Sequence, residues 1–275
     1  HRQAECAAMR LGKASSAFRV LGVAMALFAI GRARAQETTN GLAFADFLLA
    51  PLRVHLLTAT NEPAVHTTLT SNDVTRILGK VNRVWAQAGI TFYLESLRTE
   101  PAANAAGFRE NVKTNEEALL KLRPEASKAT NVFHVYYLKQ FGPNGICIRG
   151  INFVKDTARL KEIEGGIDEP LPRVTSHELG HALTLPHRQD VTNLLASGTT
   201  GTWFNSAEIQ QTREAAKKKP WIESASALLG KAVEAAKSGR KETAQELLRK
   251  LDFIPLPSRE KDGLRRELPA TTRKP

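Results

Sequence analysis

His177-Glu178-Leu179-Gly180-His181-Ala182-Leu183-Thr184-Leu185-Pro186-His187 is the stretch on which the reading of this 275-residue chain turns. Residues 173–185 read as a helix that Pro186 stops. On a helix, two histidines four apart are offset by about 40° around the axis and about 6 Å along it, so both rings reach one ion. Glu178 follows the first histidine directly and projects toward the same cleft, beside the ion's open position. His-Glu-x-x-His is therefore a zinc pair with a general base built in. His187, ten residues after His177, is placed to complete a three-histidine set for Zn²⁺.

The flanking sequence supplies a scaffold. Residues 52–60 (LRVHLLTAT) and 90–94 are apolar and β-branched, and read as strands. Between them Thr70-Ser71-Asn72-Asp73 caps a helix whose Val74, Ile77, Leu78, Val81, Val84 and Trp85 recur at helical spacing up to Gly89. That strand–helix–strand order is a crossover unit, which implies parallel pairing. Residues 99–115 read as a polar loop and 116–122 as a short helix ended by Pro124. Residues 132–138 (VFHVYYL) form a strong strand, and Asn144-Gly145 turns the chain into a weaker one over 146–154, broken at Gly150. Residues 206–219 are expected to be helical, and 221–237 with 241–251 to make a helical hairpin about Ser238-Gly239. From Pro255 the chain is charged and proline-containing, a composition that predicts disorder over 255–275.

Charge is distributed unevenly. The net of +11 over the whole chain suggests a nucleic-acid binder, but residues 36–216 carry 18 Lys/Arg against 19 Asp/Glu. The excess lies in the first 35 residues and in 217–275, where 15 basic residues face 8 acidic ones. No nucleic-acid-binding motif accompanies it, so the basic C-terminal region is read as a solvated face, with contact to an anionic envelope surface as the alternative. The first 35 residues show the three parts of a secretory signal: basic residues after Met9, an apolar run over 20–30, and Ala33-Arg34-Ala35. About eleven apolar residues are too few to span a bilayer. The expectation is a signal peptide over 1–35, with the residues before Met9 upstream of the true start, and a secreted or periplasmic product without a membrane span. Cys6 leaves with that leader, and Cys147 remains as a lone thiol.

With these residues the chain resembles the metzincin clan of zinc metallopeptidases, whose pattern is HExxHxxGxxH followed by a Met-turn. His177, Glu178, His181 and His187 match it, and Asn193-Leu194-Leu195 resembles the Asn-Leu-Met segment of bacterial members. The resemblance implies a zincin-like α+β fold: a twisted mixed β-sheet packed on an active-site helix and a backing helix, here followed by the C-terminal hairpin. It also implies an endopeptidase acting on a protein or peptide that lies antiparallel to an edge strand, for which Ile146, Cys147 and Ile148 are the candidates. Thr184 departs from the pattern at its glycine; a β-branched residue at positive φ costs about 1–2 kcal/mol, so another path for the turn is expected. Leu195 stands where the Met-turn methionine packs beneath the metal, a tolerable volume swap. An alternative third ligand is Glu208 or Glu214 on the downstream helix, as in thermolysin-like zincins, although no Asn-Glu-x-x-Glu motif is present there. His55, His66 and His134 have no ligand partners at motif spacing.

The expected division is a leader (1–35), a zinc metallopeptidase domain (36–219), a helical hairpin (220–254) and a disordered tail (255–275). A chain ending near Lys219 is then expected to fold and bind zinc. The competing function is a catalytically inactive zinc-containing binding protein that works through its basic C-terminal helices.

Overall fold

The computed structural model describes residues 41–108 and 115–268, and the leader expected over 1–35 lies outside them. Strand β1 (Leu48–Thr58) organises the molecule. Leu48, Ala50, Leu52, Val54 and Leu56 enter one apolar cluster, while Leu49 and Leu57 enter two others. Alternate side chains of a strand point to opposite faces, so β1 is covered on both.

Among the described residues the sheet has six strands. Beside β1 lie β2 (Ile90–Pro101) and β3 (Phe133–Leu138), then β5 (Ile151–Lys155), all parallel, and β4 (Gly145–Ile148) closes the far edge antiparallel to β5. A short β6 (Glu223–Ser224) pairs antiparallel with Leu48 and Leu49. The crossover from β1 to β2 is α1 (Ser71–Trp85), which starts at a capping box between Thr70 and Asp73. Its buried Val74, Ile77, Leu78, Val81 and Trp85 join α3 (Pro170–Ala182) over the first face of the sheet. Among the described residues, no helix is long and apolar enough to cross a membrane.

Four elements depart from expectation. β2 runs to Pro101, into the expected polar loop, because its register follows β1 to the pair Thr58–Pro101. Its carboxylates had disguised it: Glu95 pairs with Arg53 of β1 at 2.8 Å, and Glu100 meets His55 Nδ1 at 2.6 Å. The single strand expected over 146–154 is instead the hairpin β4–β5, turned by Arg149 and Gly150 at φ 52° and 79°. Both residues lie in the left-handed region that two-residue hairpin turns require. α3 starts at Pro170 rather than Arg173, since proline fits the first helical turn. Finally, within the stretch expected to be disordered, α7 (Arg259–Glu267) is a helix capped by Ser258, and its Leu264 is buried with Leu268. Two apolar residues in a charged segment suffice there because a ready-made cluster receives them.

That cluster covers the second face of the sheet near the start of β1. The hairpin α5 (Ala225–Lys237) and α6 (Lys241–Leu251) sets Leu228, Leu229, Leu248 and Leu251 against Phe47, Leu49 and Ala86. Farther along the same face, α2 (Glu116–Lys121) and its neighbours cover Leu57, Tyr136 and Phe153. His55 and His134 are buried there as well: His55 Nε2 lies 2.9 Å from His134 Nδ1, and His134 Nε2 lies 2.9 Å from the Ala129 carbonyl. A carbonyl only accepts, so His134 Nε2 donates to Ala129 and His55 Nε2 donates to His134 Nδ1. Both histidines are hydrogen-bonded sheet-face residues.

Candidate metal centre

α3 carries His177 and His181 on one face, and the turn after it brings His187 alongside. The Nε2 atoms of His177 and His181 are 3.0 Å apart, and those of His181 and His187 are 3.2 Å apart. His177 Nδ1 lies 2.8 Å from the Leu194 carbonyl and His181 Nδ1 lies 2.7 Å from the Leu185 carbonyl. A carbonyl only accepts, so each Nδ1 carries the proton and each Nε2 presents a lone pair. Lone pairs facing one another at this distance repel unless a cation stands between them. Tetrahedral zinc with Zn–N near 2.05 Å would hold its nitrogens about 3.3 Å apart, close to what is observed. The site fits Zn²⁺.

The surroundings favour neutral imidazoles. Burial first, and then the Arg173 charge, pushes the His177 pKa down to about 3. Burial lowers His181 too, against the pull of its carbonyl partner. Glu178 is buried in the opposite sense: loss of water raises its pKa to about 8, with Arg173 opposing. Of the alternative ligands, Glu208 is already occupied, accepting from Arg188 Nε (2.6 Å), Asn193 Nδ2 (2.8 Å) and the Asn205 amide (2.9 Å). Glu214 on α4 (Ser206–Lys217) is exposed and accepts from Gln210. The three histidines are the metal-binding group found among the described residues.

Asn193-Leu194-Leu195 passes beneath the histidines. Asn193 Oδ1 accepts from the Leu195 amide at 2.7 Å and shapes the turn; Leu194 supplies the carbonyl to His177. Leu195 is fully buried and reaches toward Gly180 of α3.

Thr184 overturns its expectation. The chain takes no other path: Thr184 itself adopts φ 74°. Gln211 Nε2 donates to its carbonyl at 2.7 Å and lies 3.4 Å from its hydroxyl, bracing the turn from α4. Relief of about 1–2 kcal/mol of strain, less about 0.5–1 kcal/mol for the freer unfolded chain, leaves Thr184→Gly more stable by up to about 1.5 kcal/mol. Thermal denaturation should show a rise in Tm of a few degrees, and a fall would refute the strain argument.

Two residues escaped the sequence reading. Arg173 is buried one turn before His177; it donates to the Gly201 carbonyl at 3.0 Å and to the Ala196 carbonyl. It ties the loop after the third ligand to the helix bearing the first. Its signal was an arginine in helical phase with His177. Gly145 is the other: a Cβ there would lie 2.6 Å from Glu178 Oε1 and from Val174 Cγ1. Only glycine lets β4 approach the carboxylate this closely, and sequence alone showed merely a turn residue.

Together these groups line a cleft of ≈ 680 Å³, walled by Gly145, Ile146 and Cys147 on one side and Pro186, Ser197 and Gly198 on the other. Of the three residues expected to bind substrate, Ile146 and Cys147 reach the cleft, whereas Ile148 is buried in the cluster behind the sheet. Burial, followed by the Glu178 charge, pushes the Cys147 thiol up to about 12, so it stays protonated.

No family model matches the chain, and no curated protein does. Among solved structures it is similar to archaemetzincin from Methanopyrus kandleri (14% identity, TM-score 0.40), over 61% of this chain and 96% of that one. It is also similar to mirolysin in complex with compound 9 (12% identity, TM-score 0.44), over 62% and 91%. Both are likenesses of overall fold at low identity, and the assignment of Zn²⁺ stands on the geometry of the three imidazoles.

Proposed function

We propose that the protein is a zinc-dependent endopeptidase. The observation that carries this is one cleft in which three imidazole nitrogens converge beside a buried carboxylate, next to the edge strand of the sheet among the described residues. Bound zinc would supply Lewis-acid chemistry, acidifying a water and stabilising negative charge on the scissile carbonyl oxygen. The remaining work falls to the chain. Glu178 takes the proton of the attacking water and passes it to the departing amine. The Leu194 and Leu185 carbonyls hold the two helical imidazoles in the ligating tautomer. β4, the edge strand of the sheet among the described residues, takes up the substrate by backbone pairing.

Export belongs to the same proposal and rests on the leader pattern over 1–35; contact with an anionic envelope surface rests on the charge of 217–275. The retained Glu178 weighs against an inactive binding protein, because a purely structural zinc needs no base.

Elemental analysis of the dialysed protein should find about one zinc per chain, and His187→Ala should lose it. Hydrolysis of an unfolded protein substrate should stop with a chelator and return with zinc. Absence of zinc after reconstitution, or hydrolysis indifferent to the chelator, would reject the assignment.

A further inference from the structure

Behind the sheet, at the far end of β4, lies a second concavity of ≈ 520 Å³ lined by Lys121, Arg123, Lys128 and Arg149, with Glu117 and Glu125 of opposite sign. The carboxylates do not neutralise it. Lys128 is paired with Glu125, and Arg123 reaches the Tyr136 hydroxyl at 3.4 Å. Lys121 and Arg149 are exposed, and neither side chain has an ion-pair or hydrogen-bond partner among the described residues. Arg149 is also held at φ 52°, at the tip of the β4–β5 turn, where asparagine or glycine would be unstrained. A cation is thus presented, at some conformational cost, on the residue that follows the last of β4.

The direction of β4 gives this cavity a place relative to the cleft. Gly145, the first residue of β4, touches Glu178, so a scissile bond within reach of Glu178 lies beside Gly145. β4 then runs away from Glu178 toward Arg149, four residues and about 13 Å farther on. A peptide pairing antiparallel to β4 runs the other way, so its N-terminal side passes Arg149. The residue that arrives there is about the fourth or fifth before the scissile bond.

Resting on the endopeptidase reading, we propose that this basic cavity is a subsite for acidic residues of the substrate, about four to five positions N-terminal to the cleaved bond. Lys121 and Arg149 are the residues that select them. Two free cations in one concavity give an attraction that weakens as salt is added.

The test separates recognition from cleavage. Fluorescence anisotropy would measure binding of two labelled peptides to the full-length zinc-loaded Glu178→Gln chain, in which the peptide is not consumed. One peptide carries three Asp/Glu residues followed by four neutral residues; the other has Lys in place of the acidic residues. The acidic peptide should bind about ten-fold more tightly, and the preference should vanish when Lys121→Glu and Arg149→Glu are added, with zinc content unchanged. Equal binding of the two peptides, or a preference that survives the double charge reversal, overturns the proposal; in the latter case the basic C-terminal helices are what attract the peptide. Failure of the endopeptidase reading shows separately, as absence of cleavage by the unaltered protein. With cleavage present, mass-spectrometric mapping of the cut sites should find Asp or Glu enriched at the fourth and fifth positions before the bond. That enrichment should be lost in Lys121→Glu/Arg149→Glu while overall turnover of neutral substrates persists.

Discussion

Glu178→Gln is expected to lower kcat/KM on an unfolded protein substrate by about 10²–10⁴-fold, the usual worth of a positioned general base, while leaving zinc bound. Glutamine keeps the shape that packs against Gly145, and removes only the ability to take a proton. The same variant has a signature in stability. In the metal-free protein the folded-state pKa of Glu178 is raised from 4.5 to about 8 by burial. A raised carboxylate pKa contributes stability that is fully present below the unfolded value and is lost as pH rises through the folded one. The metal-free parent should therefore lose Tm relative to Glu178→Gln between about pH 5 and 8.5. Undiminished cleavage by the variant would remove Glu178 from the mechanism.

A chain ending at Lys219 is expected to be insoluble, or to lose most of its stability, which reverses the expectation drawn from sequence. Truncation there uncovers Phe47 and Leu49, both essentially without solvent exposure, together with Ala86. It also removes β6 from the start of β1 and the bond from the Ala225 amide to the Phe47 carbonyl. Exposing each large side chain costs about 1.5–3 kcal/mol, against a net stability of about 5–15 kcal/mol for a domain. The uncovered surface adjoins β1 and β2, the strands that anchor the sheet. Circular dichroism and sedimentation of the truncated chain would check this. A soluble, zinc-loading fragment with unchanged Tm would make the hairpin an appendage after all.

Particular elements show how far the chain could be read before its structure. The metal site was legible because its geometry is local: His177, Glu178 and His181 lie on one turn of one helix, where spacing alone sets direction. His187 was legible for a similar reason, being only a turn away. The crossover α1 was legible through its capping box and 3.6-residue period, which depend on neighbours within a few positions. Polar residues inside strands broke the pattern. Glu95 and Glu100 look like loop residues until Arg53 and His55 of β1 stand opposite them. The edge hairpin was read as one strand because Arg149 gives no hint that it will accept a positive φ.

By itself, then, the sequence determined the chemistry of the centre: three imidazoles and a carboxylate, in a spacing that a helix converts into convergence. Tertiary structure decided everything that depends on who stands opposite. It made Gly145 the neighbour of Glu178, turned Arg173 into the tie between helix and loop, put Thr184 in the left-handed region under Gln211, and joined the C-terminal helices to the sheet. Each of these is a contact between residues far apart along the chain or a conformation that such a contact imposes. Local propensity cannot encode them, because their free energy comes from burial and pairing that exist only once the sheet is built.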